Sequence, residues 1–113
     1  MSKLDEAVER YQSEFRSKLN MSVDKDLLIK VAKGLGPAIY NADASKVSGT
    51  DPEELATVKN NFLIKKLGLK DSPALDAAIE EVMQQMGSDN RNKYRAMVYY
   101  LLTVKFNKEH VYN

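Results

Sequence analysis

Apolar side chains recur at helical spacing along most of this sequence, and residues that start or end helices separate the apolar segments. The run Asp51-Pro52-Glu53-Glu54 is the strongest start, because it offers a capping aspartate, a proline at the first helical position and a glutamate at the capping-box position. Ser72-Pro73 starts a further segment in the same way, and Gly68 and Gly87 end these two segments. The pattern predicts an all-α protein with short connections.

The first half of the chain is predicted to hold two helices, followed by a turn or two of helix. The first helix ends near Asn20, and its apolar face consists of Leu4, Val8, Tyr11, Phe15 and Leu19. Asp24 caps the second helix, and Gly34 suits its left-handed stop. Pro37 can begin a turn or two of helix, after which residues 41–50 read as a loop.

The second half is predicted to hold three longer helices. The helix that starts at Asp51 carries two neighbouring apolar stripes, which predict burial over a wide arc: Leu55, Val58 and Phe62 in one, and Ala56, Leu63 and Leu67 in the other. The helix that starts at Pro73 ends at Gly87. The last helix is capped by Ser88 or Asp89 and runs to Phe106, followed by a tail over residues 107–113 that has room for one further turn.

From Ala96 onward the last segment is apolar nearly all round, which is typical of a helix at the centre of a fold. The stretch from Met97 to Val104 has enough tyrosine and valine to suit a strand. Helix is favoured, because no turn signal divides the segment and nothing else in the chain could pair with a strand. The expected architecture is a compact, single-domain bundle of about five helices over residues 1–113. Its core should contain Leu101, Val98 and Phe62.

The residue types exclude several kinds of chemistry. The sequence has no cysteine and one histidine, so a disulfide framework, a thiolate zinc site and a cysteine nucleophile are ruled out, and no cofactor is predicted. The formal net charge is +1, which gives no overall attraction to nucleic acid or acidic lipid. Residues 1–6 place acids where a signal peptide needs an apolar stretch, and the longest apolar run, residues 96–104, is too short to span a bilayer. A cytoplasmic protein without a membrane segment is expected.

Two short motifs resemble ligand loops but lack required positions. Asn41, Asp43 and Ser45 have the spacing that opens a calcium loop, yet its glycine and glutamate positions hold Lys46 and Pro52. A turn whose side chains bond to their own backbone is the favoured interpretation. The two glycines of Gly34-Leu35-Gly36 could begin a dinucleotide loop, but the third glycine position is Ile39 and no strand precedes it. A helix stop followed by a helix start explains these glycines.

Acid–base catalysis finds little support. The pairs Glu53-Glu54 and Glu80-Glu81 are neighbours on helices, so their side chains point about 100° apart and do not converge on a substrate. His110 lies close to the chain end, where residues are loosely held, and an exposed histidine is the favoured interpretation. The sequence offers no nucleophile paired with a base, and we predict that the protein is not an enzyme.

A basic cluster is the most informative candidate site. Residues 59–113 carry 9 basic and 6 acidic side chains, a net charge of +3, whereas residues 1–58 carry 8 and 10, a net charge of −2. Arg91, Lys93 and Arg95 open the predicted last helix, where free amides and arginine would suit a phosphate, with Lys93 on another side of the helix. A set of lysines could extend the cluster if the third helix packs nearby: Lys59, Lys65, Lys66 and Lys70. The competing interpretation is a solvated face whose arginines pair with acids of the first half.

Several longer motifs resemble one known family. They are Gly36-Pro37, the run of residues 39–45, Val47-Ser48-Gly49, Asp51-Pro52, and the runs of residues 58–69, 90–96 and 99–102. Together they resemble the bacterial domain-of-unknown-function family 2853, whose members are small uncharacterised proteins. The resemblance implies a bacterial, stand-alone, single-domain protein, and it implies no activity, substrate or catalytic residue.

Two classes of function therefore remain open. The first is a non-catalytic interaction module that binds a protein partner or a second copy of itself. The second is a weak binder of nucleic acid or of a phosphate ligand through Arg91 and Arg95. Binding that collapses with salt would favour the second class, and salt-tolerant binding would favour the first.

Overall fold

The computed structural model describes residues 3–41, 44–87, 89–90 and 93–112. These residues form five α-helices: α1 (Lys3–Lys18), α2 (Lys25–Leu35), α3 (Pro52–Thr57), α4 (Pro73–Met86) and α5 (Arg95–Lys105). A 3₁₀ turn (Gly36–Tyr40) follows α2, a π-helical segment (Val58–Ile64) continues α3, and a second 3₁₀ turn (Glu109–Tyr112) follows α5. The all-α prediction is confirmed.

Helix α5 lies at the centre and packs against α1, α2 and α4. Every residue from Ala96 to Thr103 is buried, and Thr103 donates its hydroxyl to the carbonyl oxygen of Tyr99 at 2.7 Å. The buried Val98, Leu101 and Phe62 belong to the core cluster, as predicted. The ring of Phe62 stacks on that of Tyr99 with a centroid distance of 3.9 Å. The segment that could have been a strand is therefore the central helix.

The start of the last helix was predicted too early. Helix α5 begins at Arg95, with Tyr94 as its N-terminal flanking residue in an extended conformation. Tyr94 forms an antiparallel bridge with Lys46, so the chain is held extended here by hydrogen bonds to the 44–47 loop instead of coiling into a helix. Asp89 lies in a turn that precedes α5, and Ser88 lies outside the described residues.

The end of the second helix was predicted two residues early. Helix α2 continues through Gly34 and ends at Leu35, and the left-handed residue is Gly36, with φ of 64°. The amide of Gly36 donates to the carbonyl of Lys33 and closes the last turn. Two glycines two residues apart gave the sequence two possible stops, and backbone hydrogen bonding selects the second. The short helix predicted at Pro37 is present as a 3₁₀ turn.

The third helix departs from regular α geometry. After Thr57 the hydrogen bonds lengthen by one residue, as in Leu67, whose amide donates to the carbonyl of Phe62 at 2.9 Å. The π turn aligns residues spaced five apart, so Val58, Phe62, Leu63 and Leu67 share one buried face. Ala56 is exposed and Leu55 only half-buried, so the expected burial over a wide arc is wrong. Gly68, with φ of 74°, follows this segment, as predicted.

The remaining boundaries agree with the sequence pattern. Helix α1 ends at Lys18, two residues before the left-handed Asn20. Asp24 and Asp51 cap α2 and α3 through their carboxylates, and α4 ends before Gly87. The tail forms one further turn, which packs against α2. Within the described ranges, no helix has both the length and the apolar character needed to cross a membrane.

Candidate functional site

The guanidinium of Arg95 is bound on several sides by groups of the chain itself. Its Nε donates to the carbonyl of Ala44 at 2.9 Å, and Nη2 donates to the carbonyl of Lys46 at 3.3 Å. Nη2 also forms an ion pair with Glu54, and Nη1 donates to the hydroxyl of Tyr99 at 3.4 Å. Burial opposes the charge, but the hydrogen bonds with Tyr99 and Glu54 hold the pKa of Arg95 above its ordinary value. Arg95 thus joins α5 to the 44–46 loop and to α3.

Lys93, the other described residue of the predicted anion site, is held by the backbone and does not lie free beside Arg95. Lys93 is 5% exposed, and its ammonium donates to the carbonyl of Asn90 at 2.6 Å. Arg91 lies outside the described residues. Because α5 begins at Arg95, residues 89 and 90 precede the helix by more than a turn, and their amides are not those of its first turn. The anion site at Arg91, Lys93 and Arg95 stays a prediction with a changed local geometry.

The lysines expected to extend the basic cluster are held in different surroundings. Lys59 forms ion pairs with Asp71 at 2.9 Å and with Asp76 at 3.2 Å. The hydrogen bonds to Asp71 and then Asp76 raise the pKa of Lys59. The ammonium of Lys66 lies 5.0 Å from the ring centroid of Tyr112. Lys65 and Lys70 are exposed.

The weaker motifs take the structural roles expected of them. The side-chain oxygen of Asn41 accepts the amide of Ala44 at 3.0 Å, which is the turn predicted there, while Asp43 lies outside the described residues. His110 is exposed in the last 3₁₀ turn. Across the part of the chain that the structure describes, no three His, Cys, Asp or Glu side chains are grouped to hold a metal ion.

A groove of about 790 Å³ runs between α3 with its π-helical continuation and α4, and we call it the α3–α4 groove. Its apolar lining consists of Leu55 and Ala56 from α3 and of Ile79 and Met83 from α4. Ile79 and Met83 are buried in the core, so their outer atoms form the floor. The π-helical segment ends at Ile64 and α4 begins at Pro73, so residues 65–72 connect the two walls of the groove.

Charged side chains surround that floor. Asp71, Asp76 and Glu80 contribute three carboxylates, and Lys59 and Lys93 contribute two cations, so the described lining carries a net charge of −1. Lys59 is paired with two of the carboxylates, whereas Glu80 forms no ion pair with any described residue. The α4 side of the groove can therefore attract a cation beside an apolar group.

A second pocket, of about 450 Å³, lies between the start of α1, the first 3₁₀ turn and the bridge segment around Lys46, and we call it the Tyr40 pocket. Lys3, Glu6 and Arg10 line it from α1, and Lys46 and Tyr94 line it from the bridge. Tyr40 is 49% exposed at its edge. Beneath it, burial raises the pKa of Tyr11 to about 12, an effect that Arg10 opposes and that Tyr94 and Tyr40 reinforce.

Sequence reasoning did not find either concavity. For the α3–α4 groove, the available signal was the pair Asp76 and Glu80, four residues apart on one helix face. For the Tyr40 pocket, it was Lys3, Glu6 and Arg10 at helical spacing on α1. Neither signal says which other helix supplies the opposite wall.

Comparison with known proteins places the whole fold in one family. A family model described as a protein of unknown function, DUF2853, matches residues 10–110. The chain belongs to this family. The match covers the five described helices apart from the start of α1. The α3–α4 groove therefore lies inside the matched region. The Tyr40 pocket includes Arg10, where the match begins, and also residues before it. No curated protein matches the chain.

Proposed function

We propose that this DUF2853 protein is a non-catalytic binding module that holds a short segment of a protein partner in the α3–α4 groove. The observation that carries the proposal is a groove of about 790 Å³ with an apolar floor and an unpaired carboxylate at its side. Pockets of roughly 300–1,000 Å³ with a few placed polar groups are the usual size of binding sites. The expected occupant is a segment with one large apolar side chain beside a lysine or arginine.

The floor of the α3–α4 groove supplies the apolar contacts to the partner segment. Ile79 and Met83 are fixed by the core, so they offer a surface that does not have to be ordered on binding. Methionine adapts its shape to different apolar groups, which suits a site that accepts a side chain from another protein. An inserted leucine or phenylalanine would remove apolar area of the half-buried Leu55 and the exposed Ala56 from water, the main favourable contribution to association.

The charged half comes from Glu80. Asp71 and Asp76 already neutralise Lys59, so the carboxylate of Glu80 is the acid of the lining that is free to pair with a partner's cation. A basic residue that binds there would meet an acceptor at the rim, where charge pairs set specificity and orientation more than affinity. An acidic residue at the same position would be repelled.

The alternative, binding of nucleic acid or a phosphate ligand through Arg91 and Arg95, is favoured less by the geometry. The hydrogen-bonding edges of Arg95 are directed at Ala44, Lys46, Glu54 and Tyr99. An incoming phosphate would have to displace Glu54 to gain a bidentate contact. We also propose that the protein is not an enzyme, since the sites described here bring no nucleophile next to a base.

Selection from a displayed library of random peptides tests the groove. The wild-type protein is the target, and enriched sequences are then measured by fluorescence anisotropy against Ala56→Arg, which fills the groove from its α3 side. Ala74→Arg is the matched control, because Ala74 is an exposed alanine of α4 that does not line the groove. We expect enriched peptides that pair a basic with a large apolar residue, and a loss of about tenfold or more in affinity for Ala56→Arg alone.

Two results would contradict the proposal. The first is a selection whose enriched peptides bind both arginine variants equally. The second is a wild-type protein that sediments as a dimer and becomes monomeric on Ala56→Arg, since the groove would then hold a second copy of the chain.

A further inference from the structure

We infer that the Tyr40 pocket is a second binding site, independent of the α3–α4 groove, for a small ligand that joins a phosphate group to a planar ring, such as a nucleoside monophosphate. Three cations and two tyrosine rings meet there in a concavity of about 450 Å³. That volume lies within the roughly 300–1,000 Å³ of typical small-molecule sites.

The positive charge of the pocket comes from three side chains. Lys3 and Arg10 come from one side of α1, and Lys46 comes from the bridge segment. None of the three forms an ion pair with a residue in the described part of the chain, in contrast to Lys59 and Arg95. With Glu6 as the acid of the described lining, the pocket carries a net charge of +2. Lysine and arginine together provide the charge and the hydrogen-bond donors that a phosphate group needs.

The rings of the pocket can hold a planar group. Tyr40 is 49% exposed, and the other large apolar side chain with high exposure among the described residues is Val104, on a different helix. Tyr94 is half-buried, its ring packs against Tyr11, and the ammonium of Lys46 lies 5.8 Å from its ring centroid, so Tyr40 is the ring that is open to stacking. Stacking on tyrosine is worth a substantial part of the affinity for a base and does not depend on which base it is. An exposed ring beside three cations fits a ligand with both features.

The pocket is built on rigid supports. The buried Tyr11 packs against Tyr94 with ring centroids 5.3 Å apart, and the backbone on both sides of Tyr94 is bonded to the opposite loop. Val47 donates its amide to the carbonyl of Lys93 at 2.8 Å, which fixes the bridge that carries Lys46. A ligand that enters this pocket therefore does not have to order its floor, and the cost of binding is reduced accordingly.

A nucleoside monophosphate suits this site better than a nucleic-acid duplex. The whole chain has a net charge of +1, so a long basic track for a polyanion is not supplied by composition. The pocket concentrates its positive charge in one small concavity. One phosphate and one ring use both of its features.

Titration of the ¹⁵N-labelled protein with AMP, adenosine and inorganic phosphate, followed through amide resonances, tests the inference. We expect AMP to shift the resonances of Arg10, Tyr40, Asn41 and Lys46, and to bind at least about tenfold more tightly than either adenosine or phosphate. UMP should behave like AMP, because stacking tolerates any base. Raising the salt concentration should weaken the binding of AMP more than the binding of adenosine.

Variants assign the binding to named side chains. Tyr40→Ala should weaken AMP about tenfold. Arg10→Gln combined with Lys46→Gln should do the same. The matched control is Arg16→Gln combined with Lys18→Gln, which removes the same two charges from exposed positions of α1 outside the pocket and should change affinity less than about twofold. Glu6→Gln should raise the affinity for AMP about two- to fivefold, because it removes a carboxylate that repels the phosphate group.

The outcomes separate clearly. AMP that leaves the pocket resonances unmoved, or an equal loss in both charge-removing double variants, would overturn the inference. An oligonucleotide that binds here while AMP does not would overturn it in favour of a nucleic-acid surface. Ala56→Arg should leave AMP binding unchanged, so failure of the groove proposal and failure of this inference are distinguishable.

Discussion

At the scale of single residues, Arg95 shows why the basic cluster cannot be interpreted from sequence alone. The sequence presents it as a basic residue near other basic residues, and it left open whether such residues bind an anion or pair with acids of the first half. The structure pairs it with Glu54, 41 positions earlier in the chain. Helical periodicity in the sequence does not indicate a contact between residues so far apart, because the contact depends on how α3 and α5 pack. Pairing with an acid of the first half was one of the interpretations left open, and the identity of that acid was not predicted.

Glu54→Gln should lower the free energy of unfolding by about 1–3 kcal/mol, because it leaves the partly buried guanidinium of Arg95 without its counter-charge. Glu53→Gln is the matched control, since Glu53 is the exposed neighbour in the same first turn. That change should cost less than about 1 kcal/mol through the helix dipole. Urea unfolding of both variants measures the difference. Equal losses would mean that the ion pair contributes nothing beyond a first-turn carboxylate.

At the scale of secondary-structure elements, the boundaries that the sequence predicts correctly are those with one signal. Asp51-Pro52 and Ser72-Pro73 each start a helix at the expected residue. The errors come from competing signals or from tertiary contacts. Gly34 and Gly36 compete to end α2, and the bridge between Lys46 and Tyr94 delays the start of α5. The π-helical segment was missed because two adjacent stripes in an α-helix and one stripe in a π-helix produce similar apolar patterns.

The two glycines give a paired prediction about the end of α2. Gly34→Ala should stabilise the protein by about 0.5–1 kcal/mol, because alanine favours the helix interior and the new Cβ would lie 3.5 Å from the ring of Tyr112, an ordinary contact. Gly36→Ala should destabilise it by about 1–3 kcal/mol, because φ of 64° strains any residue with a Cβ. Thermal unfolding of the two variants measures both signs. The opposite order would place the helix end at Gly34.

At the scale of the whole molecule, the core could be predicted and the surface concavities could not. Continuous apolar character from Ala96 onward was enough to place α5 at the centre, because a helix without a polar face has to be covered on all sides. The α3–α4 groove and the Tyr40 pocket depend on which helices become neighbours. The ion pairs of Lys59 with Asp71 and Asp76 show the same dependence, since they join positions on different elements.

Burial of two tyrosines makes the stability of the whole fold sensitive to alkaline pH. Burial raises the pKa of both Tyr11 and Tyr112 from the ordinary 10.0 to about 12. The folded state therefore favours the protonated phenols, which adds to the free energy of unfolding. This contribution is complete below pH 10 and is lost as the pH rises toward 12. Urea unfolding between pH 10 and 12 should show a smaller decline in the free energy of unfolding for Tyr11→Phe combined with Tyr112→Phe than for the wild type. Identical declines would show that neither phenol is linked to folding.

Locating a bound peptide on the protein tests whether the α3–α4 groove holds a segment that is both basic and apolar. A selected peptide that carries a nitroxide label broadens the amide resonances of nearby residues, and the reduced label supplies the reference spectrum. We expect the broadening to be strongest at Leu55, Ala56, Glu80 and Gln84, and to be absent when the protein carries Ala56→Arg. Broadening centred on the Tyr40 pocket, or spread evenly over the surface, would contradict it.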